Sequence, residues 1–170
     1  MPTIPEIPGW LGGFLAGALL VYLGHSLAYC YQRRRDRMER LRDRYADFFG
    51  IASVDVERAK SVESALVFKP NTNDDHFQAW SAGFARLEDK RHHHRLEMAR
   101  LSFQIRLLEK DERLLNKLDE VRTHQPVFNV IGACEGELFS KNFDIHRNAI
   151  AQYSKDVEEL CSEVIKRYRR

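Results

Sequence analysis

Two patterns of apolar residues divide this chain, and they meet in LAYCYQRRRDR, residues 27–37. Before that junction, from Ile7 to Gln32, no residue is formally charged. The run GWLGGFLAGALLVYLGHSLAY, residues 9–29, reads as a transmembrane helix within a segment 9–32. Its 20 residues from Trp10 to Tyr29 rise about 30 Å, the thickness of a bilayer core. Trp10 at one end, with Tyr29 and Tyr31 at the other, match interfacial aromatic belts, and Pro8 suits a first helical turn. A cleaved signal fits less well, because the tail at residues 1–8, MPTIPEIP, has no Lys or Arg. A lipoprotein site fits no better, since Tyr29 rather than a small residue precedes Cys30.

After the junction, apolar residues recur at steps of three and four, the spacing of amphipathic helices. Leu41, Tyr45, Phe48, Phe49, Ala52, Val56, Ala59, Val62 and Leu66 predict a helix over 33–69, continuous with the span. Pro70 and NTNDD predict a turn at 70–74, with Asn73 or Asp74 placed to cap the next helix. That helix, 75–121, has a heptad seam at Phe77, Trp80, Phe84, Leu87, Arg91, His94, Met98, Leu101, Ile105, Leu108, Glu112 and Leu115. A second stripe, Leu96, Phe103, Leu107, Leu114 and Leu118, gives it apolar character on two faces and predicts a central position. After a loop at 122–136, a third helix over 137–170 carries Phe139, Phe143, His146, Ile150, Tyr153, Val157, Leu160 and Val164. The expected fold is all-α. A single transmembrane helix continues into an elongated, antiparallel, coiled-coil-like bundle of about three long helices.

Charge adds an orientation. Seven arginines lie between Arg33 and Arg44 and none lies before the span, so the positive-inside rule puts the C-terminal domain in the cytoplasm and the N-terminus outside. Arg33, Arg34, Arg35 and Arg37 become a membrane-boundary cluster able to hold anionic lipid headgroups. Gly13, Gly17 and Gly24 form a helix-association face within the span. The geometry of long antiparallel helices brings the loop back toward the bilayer, so Val127, Phe128, Val130 and Ile131 are candidate membrane contacts.

Candidate chemistry changes the picture little. A net charge of +2 does not suggest nucleic acid as a partner. Cys30, Cys134 and Cys161 are scattered, as free thiols are. In KRHHHRLE, residues 90–97, adjacent histidines point about 100° apart on a helix and do not converge on one ion, so neither metal nor cofactor is expected. The seam polar residues Arg91, His94, Glu112 and His146 read as register-setting groups. Folding the hairpin about residue 129 pairs Glu112 with His146. Motifs of catalysis (a phosphate loop, GxSxG, HExxH) are missing from the sequence, so no enzyme is expected. The expected function is a membrane-anchored helical scaffold or adaptor, a homo-oligomer or the partner of another helical protein. The alternative is a membrane-acting effector, a small toxin or lysis-type protein whose spans gather to perturb the membrane.

Overall fold

A computed structural model describes residues 9–70, 75–126 and 137–169, with side chains described for 17–70, 75–126 and 143–169. The described residues form four α-helices and no strand: α1 (Gly9–Val67), α2 (Phe77–Leu108), α3 (Glu112–Thr123) and α4 (Glu137–Tyr168). The chain divides into two compact units, Met1–Arg40 and Leu41–Arg170.

In the first unit the expected span requires correction. Among the described residues, no helix is long and apolar enough to cross a membrane. Gly17, Gly24, His25 and Ser26 lower the hydropathy of the described stretch that precedes Arg33. The single-pass topology and the cytoplasmic assignment are therefore not supported.

The second unit is a helical bundle, and its contacts show consecutive helices running antiparallel. Trp80 donates its indole N–H to the Ala65 carbonyl at 2.9 Å where α1 hands over to α2. Tyr45 meets Glu109 at the opposite end of the same two helices. Arg106 pairs with Asp119 across α2 and α3. Lys117 pairs with Glu159 at 2.8 Å across α3 and α4. The α1 stripe from Leu41 to Leu66 is buried as its spacing predicts. Gly50 does not end α1, since its missing side chain would point into open space and cost only helix propensity.

The long central helix is the second correction. It breaks at Glu109–Asp111, where Glu109 turns extended (φ −79°, ψ 141°) and Asp111 caps α3 by accepting from the Arg113 amide at 3.1 Å. Glu109 is buried and stabilises the break. Its carboxylate accepts the amides of Lys110 and Asp111 at 2.8 and 2.9 Å, and the hydroxyls of Tyr45 and Tyr168 at 3.3 and 2.5 Å. The chain therefore folds back half-way. Leu114, Leu118 and Val121 enter the core from α3, whereas Leu96, Phe103 and Leu107 on α2 stay uncovered.

Burial divides into two clusters. One holds Leu41 to Val56 of α1 with Met98, Leu101, Ile105, the α3 leucines and the C-terminal half of α4. The other holds Ala59, Val62, Leu66, Phe84 and Ile150, with Trp80, Leu87 and Phe143 against it. Aromatic rings meet at the second, Phe77 stacked on Trp80 at 5.8 Å and Trp80 tilted against Phe84 at 5.3 Å.

Candidate functional site

Between these two apolar clusters lies a polar layer centred on Arg91. On α2 it is bracketed by Leu87 and Met98, and on α1 Asp55 and Arg58 occupy the matching interval between Ala52 and Ala59. The Arg91 side chain is fully buried. Its guanidinium donates to Asp55 Oδ1 at 3.3 Å, to Glu88 Oε1 at 3.0 Å and to the Pro126 carbonyl at 3.0 Å. Arg95 braces the same two acceptors, reaching Pro126 O at 3.3 Å and Glu88 Oε2 at 3.6 Å. One arginine thus ties α1, α2 and the end of the α3 segment together. Asp55 Oδ2 has no hydrogen-bond partner among the described residues, so the layer is not fully satisfied.

Around this centre the polar groups are chained. Arg58 donates to His94 Nε2 at 2.6 Å, which requires that nitrogen to be unprotonated. Burial and then the Arg58 charge accordingly hold the His94 pKa below its ordinary value. Burial likewise lowers His146, which lies within the fields of Glu88 and Arg91. Tyr153 is buried beside Met98 and Gln125; burial, then the Asp55 charge, push its hydroxyl well above the usual phenol range. His124 meets Asp156 at 2.6 Å, and Gln152 also donates to Asp156, at 2.7 Å. At the bundle's other end, burial and then Glu109 raise Tyr45 and Tyr168 in the same way. These groups partner one another inside the bundle.

Of the expected seam residues, Arg91 lies at the centre of this layer, and His94 and His146 are half-buried beside it. Glu112 is exposed in the first turn of α3, far along the chain's path from His146's neighbours Glu88 and Arg91. The expected Glu112–His146 pairing fails because Lys117 meets Glu159 and Arg113 meets Glu163, a register that sets Glu112 beside the C-terminal end of α4. Asp55, Glu88 and Glu109 were not anticipated. Asp55 had a signal, an acidic residue three after Ala52 and four before Ala59, squarely on the buried stripe.

The remaining candidates lie on surfaces. Arg33, Arg34 and Arg35 are exposed and Arg37 is half-exposed, with Arg35 paired to Glu39 at 2.9 Å. Gly17 and Gly24 face open space. The side-chain surroundings of Gly13, and the residues Val127, Phe128, Val130 and Ile131, lie outside those described, as does Cys134. Cys30 is exposed and Cys161 half-buried. His92 and His93 are exposed, and no group of three or more potential ligands converges on a metal position among the described residues.

One more surface stands out. Leu96, Phe103 and Leu107 are 57%, 63% and 68% exposed. At 100° per residue they fall within about 40° of one another, opposite Met98, Leu101 and Ile105, which face the core. Compared with known proteins, the chain matches no family model, no curated protein and no solved structure.

Proposed function

We propose that this chain is a non-enzymatic helical assembly module, a scaffold or adaptor whose bundle docks a helix of another protein on the outer face of α2. The observation that carries it is the stripe Leu96, Phe103 and Leu107, three large side chains at spacings of seven and four left in solvent. That is the anchor spacing with which one amphipathic helix receives another. Burying a large apolar side chain releases roughly 1.5–3 kcal/mol, so three anchors support a helix-on-helix contact. The interior of the bundle favours the same function. Its charged groups are spent on one another and fix the register of the helices, which leaves a defined outer face to present.

Site-specific photo-crosslinking tests this. A benzoylphenylalanine at position 96 or 107 of the full chain, activated in the producing cells, should give one discrete adduct, absent when the probe replaces Glu158 on the exposed side of α4. Equal adduct patterns from all three positions, or none from 96 and 107, would remove the proposal.

A further inference from the structure

Unit one carries an uncovered face of its own. From Leu19 to Tyr31 the α1 side chains Leu19, Leu20, Val21, Tyr22, Leu27 and Tyr31 are between 60% and 74% exposed. Their arrangement around the helix is uneven. Placed at 100° per residue, Gly17, Leu20, Gly24, Leu27 and Tyr31 fall in one sector at alternating steps of three and four. Val21 and Ala28 flank it. The opposite sector holds Tyr22, His25, Ser26 and Tyr29, each with a polar atom able to face water, along with Ala18 and, at its edge, Leu19. The helix is therefore two-sided, with a heptad seam on one side that no described residue of the unit covers.

We infer that copies of this chain associate through this seam of α1, helix against helix. Three observations select a second copy as the occupant. First, the steps of three and four are those with which identical helices interlock, and a seam that repeats in register complements itself. Second, a Cβ added at Gly17 or Gly24 would meet nothing within 4 Å, so both glycines leave room for a neighbouring backbone to approach. Third, the area suffices. Leu20, Val21, Leu27 and Tyr31, each about two-thirds exposed or more, together with the glycines and Ala28 present roughly 500 Å² per copy. Two copies then bury about the 1,000 Å² that marks a specific interface. The arginines that follow do not forbid the approach, because Asp36 and Glu39 lie among them and Arg35 is already paired.

This deepens the assembly reading above, since it gives the module a way to present more than one α2 face, yet it rests on different residues. Sedimentation equilibrium of the full chain tests it. The wild type should run as a closed oligomer at low micromolar concentration. Leu20→Asp with Leu27→Asp, both in the seam, should weaken association by about tenfold or more and give the monomer mass. Leu19→Asp with Tyr29→Asp adds the same charge outside the seam and should leave the mass unchanged. A monomeric wild type would overturn the inference. So would equal losses from both pairs of substitutions, which would indicate unspecific apolar contact. A monomer that instead co-sediments with phosphatidylcholine vesicles would assign the seam to a lipid surface and overturn it too. Photo-crosslinks from positions 96 and 107 that persist in the seam variant would separate failure here from failure of α2 docking.

Discussion

Arg91→Met is the most informative single perturbation of the bundle. The substitution keeps a long side chain but removes the guanidinium that meets Asp55, Glu88 and the Pro126 carbonyl. Glu88 and Pro126 retain Arg95, so their loss is small. Asp55 loses its ion-pair partner among the described residues and keeps only the neighbouring Tyr153 hydroxyl. Both Asp55 and Arg91 have fully buried side chains, and Oδ2 already lacks a partner. An uncompensated buried carboxylate costs about 3–5 kcal/mol, a large share of the 5–15 kcal/mol that holds a typical domain. With a urea slope near 2 kcal/mol/M, the unfolding midpoint of the full chain, followed by circular dichroism at 222 nm, should fall by about 2 M. The double variant Arg91→Met/Asp55→Leu removes both charges and should regain most of that loss, since well-packed apolar replacements of buried pairs are often neutral or stabilising. A drop below about 0.5 M for the single variant would refute the assignment of this layer as the bundle's polar lock. A double variant no more stable than the single would refute it equally.

Other outcomes follow from the same contacts. Glu109→Ala removes the acceptor of two hydroxyls and two amides, and should cost about 2–4 kcal/mol. Amide hydrogen exchange at Lys110 and Asp111 should accelerate if Glu109 holds the α2–α3 break, and unchanged exchange there would exclude that role. Gly50→Ala and Gly83→Ala place a methyl where nothing lies within 4 Å and should each stabilise by about 0.5–1 kcal/mol, read as a rise of a few degrees in Tm. His94 and His146 both have lowered pKa values in the fold, so the unfolded chain binds protons more readily. Their contribution is present above the unfolded value near 6.5 and is lost as pH falls below it. His94 faces Arg58 and Asp55 from α1 as well as His93 and Arg91 on its own helix, while His146 faces Glu88 and Arg91. Unfolding midpoints taken from pH 7.5 to 5 should therefore decline, and His94→Gln with His146→Gln should flatten that decline.

The sequence by itself determined the helical class, the buried stripes of α1 and α4, and the α2 seam from Phe84 to Ile105. Each of these is a local periodicity, and a helix buries whatever face its spacing makes apolar. It also singled out Arg91 as a polar interruption of that seam. The turn at Glu109–Asp111 was not legible, because LEKDE contains no Gly or Pro and the heptad runs through it without a skip. What breaks the helix there is a carboxylate bonded by Tyr45 from 64 residues before and Tyr168 from 59 residues after, partners that only the folded bundle assembles. The same fold-back decided which side of α2 is covered: Leu114 and Leu118 went into the core on α3, and Leu96, Phe103 and Leu107 were left facing out. Periodicity tells which residues share a face, but the packing of distant segments decides whether that face meets the core, another chain or water.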